Sequence, residues 1–359
     1  MRLSSKTPLS RHGACSNPDS RFLKLTRSAE VLLGEEEWEV DTAAIKTELS
    51  FEQAKSIISY NQSPDIPFDR SVNAYRGCQH GCIYCYARPT HEYLGLSAGL
   101  DFETKIVVKD NAAERLRQEL SRPNYRPAPL ALGANTDPYQ PLEQKQRVTR
   151  QVLEVLAEFK HPVTITTKGA LISRDIDLLA CMAENNLVRV MISIATMEPE
   201  IARRLEPKAA SPLRRMAIVS QLSEAGIPTG VIVAPIIPAL TDQDIEKVLK
   251  LAKQSGACMA SYVFLRLPLG VKELFVEWLE ANYPERATHV MSLLRQSRGG
   301  RENVSNFGER MEGCGVFAQM IKQRFTKTCN RLGFVQPEPL NIGLFSPPKP
   351  VKPQMDMFE

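Results

Sequence analysis

The rhythm of apolar and polar positions changes near residue 71. From there, runs of strand length (Ser71–Arg76, Pro129–Asn135, Val163–Lys168, Val188–Thr196, Gly230–Pro235 and Ser261–Leu267) alternate with amphipathic runs at helical spacing. The helical runs cover about Asn111–Leu120, Glu143–Phe159, Arg174–Glu184, Pro212–Ala225 and Asp242–Gln254. This alternation predicts βα units around a parallel sheet, an α/β fold. Its punctuation agrees: Ser211 ahead of Pro212 reads as an N-cap, Gly226 as a C-terminal glycine, and Thr241 with Asp244 as a capping box. Six such units can curl into an open, partial barrel, and ligands of such sheets sit at the carboxyl ends of the strands.

Outside this stretch the pattern differs. Helical periodicity is weak before Ser50–Tyr60, so residues 1–67 read as an N-terminal extension to a core of residues 68–270. Residues 271–335 are helical, with runs at Lys272–Asn282, Pro284–Leu294 and Val316–Leu332. Residues 336–359 contain six prolines and read as a flexible, extended tail.

With 43% hydrophobic and 24% charged residues, the 359-residue chain is of ordinary globular composition, which excludes wholesale disorder. A net charge of +4 gives no strong overall field toward nucleic acid. The most apolar stretch, Gly230–Leu240, is short and broken by Pro235 and Pro238, so no membrane span is expected. The basic start carries no apolar segment after it, so no signal peptide is expected and the chain is placed in the cytoplasm. Its eight cysteines are then expected as thiols, metal ligands or catalysts rather than disulfides.

The chemistry concentrates in Cys78-Gln-His-Gly-Cys82-Ile-Tyr-Cys85, directly after the first predicted strand. Three thiolates within eight residues can wrap one soft metal centre, and Gly77 and Gly81 let the loop bend. Three protein ligands on a [4Fe–4S] cluster leave one iron open. A zinc site is the alternative, with His80 or His91 offered as a fourth ligand. Of the remaining cysteines, Cys181 and Cys258 read as buried helical thiols, and Cys15, Cys314 and Cys329 as lying outside the core.

CxxxCxxC with Tyr84 before its last cysteine, following the first strand of a βα partial barrel, resembles the radical S-adenosylmethionine (SAM) superfamily. That resemblance implies a partial (β/α)6 radical-SAM barrel and a [4Fe–4S] cluster on Cys78, Cys82 and Cys85. It further implies SAM bound at the open iron and cleaved reductively to methionine and a 5′-deoxyadenosyl radical, with electrons from a flavodoxin or ferredoxin. Wider similarity in Ser71–Cys78, Asn135–Glu143 and Phe264–Pro268 points to the branch grouped with spore photoproduct lyase, labelled DNA repair photolyase-like. By that likeness, Tyr84 contacts the adenine with Tyr86 beside it. Asn135, Thr136 and Asp137 hold the SAM amino group, Lys168 and Ser193 its carboxylate and ribose, and Ala234, with Gly230, lies against the base. Arg266 is a further site residue, because a charge in an apolar strand must face the mouth or meet an acid. The lyase pattern also carries a hydrogen-donating cysteine at the end of the second strand. Here that edge reads Gly133-Ala-Asn-Thr-Asp137, and Cys314, between two glycines, is the remaining candidate.

The substrate is unnamed by these motifs. A DNA lesion is one reading, and residues 286–333, with nine Lys or Arg against three acids and an Arg298-Gly-Gly-Arg301 turn, are where phosphates would be met. The reading from another class is a zinc- or cluster-stabilised nucleic-acid-binding or adaptor protein without radical chemistry. Finally, Gln354-Met355-Asp356-Met357-Phe358 resembles the bacterial sliding-clamp-binding pentapeptide, presented on a proline-rich spacer.

Overall fold

In a computed structural model of the chain, residues 11–22 and 45–348 are described. Six strands run parallel in one sheet: β3 (Arg70–Val72), β6 (Leu130–Leu132), β7 (Val163–Thr167), β8 (Val188–Ser193), β9 (Thr229–Ile236) and β10 (Met259–Phe264). Their spatial order follows the sequence order, and β2 (Ile58–Tyr60) pairs antiparallel on the outer side of β3. Because β10 and β2 do not pair with each other, the sheet is open, as the strand pattern predicts. A second sheet joins β1 (Glu48–Phe51), β5 (Lys105–Val108) and β4 (Tyr75–Arg76).

The helices between strands cover the sheet through apolar stripes. In Ile245–Gln254, residues Ile245, Val248, Leu249 and Ala252 are buried, at the i, i+3, i+4, i+7 spacing of one helix face. Each large side chain among them contributes about 1.5–3 kcal/mol by leaving water, so Leu249→Ala costs about 2–5 kcal/mol. Helix Pro212–Glu224 starts where predicted, with Ser211 Oγ accepting from the Arg214 amide at 3.3 Å. The helix predicted over Glu143–Phe159 is two pieces, broken at Arg147, whose φ is 55°. The Thr241–Asp244 capping box is absent. Thr241 Oγ1 instead donates to Pro235 O and accepts from Ile237 N, and Asp244 accepts from Thr196 Oγ1 and Met197 N.

The first predicted strand, Ser71–Arg76, splits in two. Asn73 turns its side-chain oxygen toward the backbone N–H groups of Asn135 (3.0 Å) and Thr136 (3.3 Å), where a continuing ladder would have run. The chain then leaves the main sheet as β4 and enters the cysteine loop. The stretch read as a loosely patterned extension contributes β1 and β2, and residues 12–15 of it are buried.

At the other end, helices Val271–Asn282, Pro284–Gln296 and Gly315–Leu332 form the C-terminal region. The tail is extended but not loose over residues 336–348. Arg189 donates to Glu338 O, Asn186 Nδ2 to Pro339 O (2.9 Å), Asn341 N to Asn186 O (2.9 Å) and Ser346 N to Phe159 O (3.0 Å). These anchors lie just ahead of β7 and at or just ahead of the start of β8, so the tail runs along the amino ends of the strands, opposite the candidate site. The pentapeptide at 354–358 lies outside the described residues. No helix among the described residues is long and apolar enough to cross a membrane.

Candidate active site

The cysteine loop sits at the carboxyl ends of the parallel strands. Gly77 (φ 80°) and Gly81 (φ 66°) take left-handed turns that an L side chain resists. A Cβ on Gly77 would also meet Ile106, His91 and the Phe102 carbonyl at 2.8–2.9 Å. Cys78 and Cys82 are buried and Cys85 half-buried. Backbone bonds fold the loop on itself, Gly81 N to Cys78 O (3.3 Å) and Cys85 N to Cys82 O (3.2 Å), while Cys78 N reaches Phe102 O (2.9 Å) and Ile83 N reaches Leu205 O (3.1 Å).

The loop and the end of β6 are stitched together by side chains. Besides Asn73, Thr136 Oγ1 donates to Tyr75 O (3.2 Å), the Gln79 amide donates to Gln140 Oε1 (2.8 Å), and Tyr75 OH donates to Glu143. Thr136 thus spends its hydroxyl inside the protein. So does the Asp137 carboxylate, which accepts from Thr167 Oγ1 (2.6 Å), Lys168 N (2.7 Å) and Tyr139 N (2.9 Å). His80 Nδ1 lies 3.3 Å from Asp137 Oδ2, at ion-pair distance. Burial opposes the charge on Asp137, but His80 and the donated hydrogen bonds outweigh it and hold the carboxyl well below its usual range. Burial likewise opposes the imidazolium, and Asp137 and Cys78 together raise His80 to about 10.

Lys168 follows β7 directly, with its ammonium 5.8 Å from the Tyr84 ring centroid. Burial disfavours its charge, yet Cys82, Glu206 and Asp137 raise its pKa. Tyr84 OH donates to Glu206, which is paired on its other oxygen with Arg215. Ser193 ends β8 and its Oγ donates to Ala234 O of β9 at 3.4 Å. On the outer rim, Tyr86 OH donates to Ala134 O and its ring lies beneath Arg266, 4.6 Å from guanidinium to centroid. Among the described residues Arg266 has no carboxylate partner; its polar contact is Met311 Sδ at 3.8 Å. Asn135 stands half-buried at the same edge, and its side chain has no hydrogen-bond partner among the described residues.

The twelve residues singled out from the sequence therefore gather at one end of the sheet. Gly230 does not join them. It sits at the start of β9, and a Cβ there would lie 2.3 Å from Met259 and 2.8 Å from Met191, so methionines fill the space a flat base was expected to take. Arg298 is no phosphate contact either: it is 1% exposed and donates to Phe264 O, Leu265 O and Glu309 O. Arg295, Arg310, Lys322 and Arg324 are paired with acids, leaving Arg286, Arg301, Lys327 and Arg331 exposed and without acidic partners among the described residues. Cys181 is exposed rather than buried, because it lies on the outer face of its short helix, and Cys15 is buried rather than outside the core. Cys314 is tied down by its amide, which donates to Ser297 O at 2.9 Å.

Sequence reasoning missed Glu206, Arg215 and Asn73; it offered His80 only as a candidate zinc ligand, whereas the structure sets it against Asp137.

The residues present fit an iron–sulfur cluster. Three thiols rise from one tightly turned, largely buried loop; burial pushes the Cys82 thiol well up, and the Lys168 cation opposes that rise. Of the histidines offered for zinc, His80 lies 3.3 Å from Asp137 and beside Cys78, and His91 Nε2 meets Lys105 O (2.8 Å).

Comparison with known proteins agrees with this geometry. An uncharacterized protein of Mycobacterium tuberculosis is 38% identical over 253 residues, 69% of this chain and 74% of its own. Spore photoproduct lyase in complex with dinucleoside spore photoproduct shares the fold, with a TM-score of 0.57 at 15% identity over 79% of each chain. A doubly mutated form of that lyase with bound AdoMet gives 0.51 at 16% identity over 76% of each. The family model of the Radical SAM superfamily matches residues 72–252, from the last residue of β3 through most of the helix after β9. With half its length under that match and the cysteine loop inside it, the chain belongs to the radical SAM superfamily, whose enzymes work with a [4Fe–4S] cluster and SAM.

Proposed function

We propose that Cys78, Cys82 and Cys85 hold the cluster and that the surrounding strand ends bind SAM, so that the chain abstracts a hydrogen atom from a substrate. What carries this reading is the meeting of the three-cysteine loop with Lys168, Tyr84 and Asp137 at the carboxyl ends of β6 and β7. When bound, the cluster and SAM together supply reductive cleavage and a hydrogen-abstracting 5′-deoxyadenosyl radical.

The chain's own residues bind and orient. Lys168, a cation held among Cys82, Glu206 and Asp137, is placed to meet a carboxylate. Asn135 offers its side-chain amide at the same edge, and Ser193 with Ala234 offers a hydroxyl oxygen and a small methyl side chain for a ribose and base. Tyr84, fixed by Glu206, gives a rigid aromatic face. Asp137 and Thr136 act from behind, shaping the edge from which Asn135 projects. Tyr86 under Arg266 forms the rim, where a substrate group arrives.

For the substrate we favour a nucleic-acid-derived molecule. What supports it is the fold shared with a lyase bound to a dinucleoside photoproduct, together with the aromatic–guanidinium rim of Tyr86 and Arg266 and the four exposed cations of the C-terminal region. Salt-dependent binding of single-stranded DNA, weakened in Arg266→Gln, is the expected outcome; binding indifferent to salt and to Arg266 removes the nucleic-acid reading.

The test of the chemistry is anaerobic reconstitution, then dithionite and SAM. Four irons per chain and 5′-deoxyadenosine, both lost in Cys82→Ala, are expected. One zinc per chain and intact SAM overturn the reading in favour of a zinc-stabilised binding protein.

A further inference from the structure

Behind the cysteine loop, away from Lys168 and Tyr84, lies a polar network that the SAM site does not use. Arg88, three residues after Cys85, is fully buried. A guanidinium has five N–H donors, and here all three nitrogens are engaged. Nε donates to Cys82 O (2.9 Å). Nη1 donates to Ala98 O (3.0 Å) and Gly99 O (2.9 Å). Nη2 donates to Gly81 O (3.1 Å) and Glu103 Oε1 (2.5 Å). Two of these carbonyls belong to the cysteine loop itself.

Glu103, also fully buried, balances the Arg88 charge and passes the connection on. Its oxygens accept from Ala14 N (2.9 Å) and Gly13 N (3.1 Å), and His12 Nδ1 lies 3.2 Å away. The strap of residues 12–14 presses directly on the loop. A Cβ on Gly13 would stand 1.8 Å from the Gly81 carbonyl oxygen. Sequence separation makes the arrangement specific: Glu103 lies 89 to 91 residues from the strap it holds. A buried ion pair is weak evidence for stability, and lysine could not reproduce a planar fork reaching five oxygens.

We propose that Arg88 and Glu103 are positioning residues for the cluster loop and that the His12–Ala14 strap is its outer wall, closing the cluster's protein side against water and small molecules. The proposal rests on Cys78, Cys82 and Cys85 holding the cluster. It assigns the N-terminal extension a role in cluster retention.

The experiment uses the full chain, reconstituted anaerobically with ferrous iron and sulfide. Three readouts are taken: iron release to an added ferrous chelator, the EPR spectrum of the reduced cluster, and hydrogen exchange of residues 12–15. Partners that orient metal ligands from outside typically change metal retention about 10–100-fold. Gly13→Ala, which forces the strap off Gly81, and Arg88→Lys are expected to release iron at least about tenfold faster than wild type, with an altered EPR line shape. In the wild type, cluster loading is expected to slow exchange at Gly13 and Ala14. Iron release and EPR unchanged in both variants overturn the proposal. If the variants do not fold, the wild-type exchange decides alone, and exchange at Gly13 and Ala14 indifferent to loading overturns it. A wild type that assembles no cluster refutes the cluster reading itself, a result distinct from variants that load and behave as wild type.

Discussion

Glu206→Gln removes one charge and almost no volume, which makes it a sharp probe of the site's rear wall. Glu206 and Arg215 are 3% and 2% exposed, and the carboxylate accepts from both Arg215 and Tyr84. An amide can still accept from one of them but turns an N–H toward the other. Arg215 keeps Ala210 O and Ser193 O, each at 2.7 Å, yet loses its only carboxylate among the described residues. Neutralising one member of a buried pair costs about 3–5 kcal/mol, of which the lost charged hydrogen bond is about 1.5–3 kcal/mol. That is a large share of the roughly 5–15 kcal/mol by which a native protein is stable. With a urea slope near 3 kcal/mol/M, the unfolding midpoint of the metal-free chain should fall by about 1–1.7 M. The double substitution Glu206→Met with Arg215→Met removes the orphaned charge along with its partner and should recover most of the loss. The assay is equilibrium urea unfolding followed by circular dichroism at pH 7, without cluster. A single-variant midpoint within about 0.3 M of wild type, or a double variant less stable than the single, would falsify this account of the pair.

Two further predictions address regions away from the cluster. His161 is fully buried, with Nδ1 3.0 Å from Pro162 O and Nε2 2.7 Å from Tyr125 OH, and burial pushes its pKa down from 6.5 to about 4. As pH falls, the unfolded chain takes the proton first. The contribution of neutral His161 is therefore complete above about pH 6.5 and is lost between there and about pH 4, roughly 3 kcal/mol in all; His161→Phe should flatten that slope of stability against pH, and an unchanged slope refutes the assignment. A peptide of residues 346–359 should bind a bacterial sliding clamp near micromolar strength, about −8 kcal/mol, and lose binding when Gln354 and Phe358 become alanine; equal behaviour of the two peptides sinks the motif.

What could be read from the sequence was what repeats or clusters locally. The six parallel strands announced themselves because each is an apolar run followed by a helical one. The expected metal chemistry was visible because its three candidate ligands fall within eight residues. What escaped was built from distant parts. Lys105–Val108 is a short strand whose role depends on β1 and β4, with which it forms a separate sheet. Glu206 follows a seven-residue helix, Pro199–Leu205, too short to show periodicity, and its meaning comes only from Tyr84 and Arg215. The strap carries no pattern at all, since its order is imposed by Glu103. Gly230 was misread for the complementary reason: a glycine advertises room, but only the tertiary structure shows that Met191 and Met259 take it. Arg298 was misread because a guanidinium beside two glycines looks solvated until the carbonyls at the end of β10 are brought against it.

The side chains that stitch the cysteine loop to the end of β6 bear on the thermodynamics of ligand capture. Asn73, Thr136, Gln140 and Glu143 bridge the two segments, so their relative freedom is already lost on folding. An open seam between strands would ordinarily have to stiffen around an incoming molecule, and that stiffening subtracts from affinity. Here the seam widens at Asn73 without becoming slack, since one side-chain oxygen serves two amides in place of a ladder. Calorimetry of SAM binding should therefore show little entropic penalty from loop ordering, and its temperature dependence should report the apolar surface covered rather than a segment folding on its ligand.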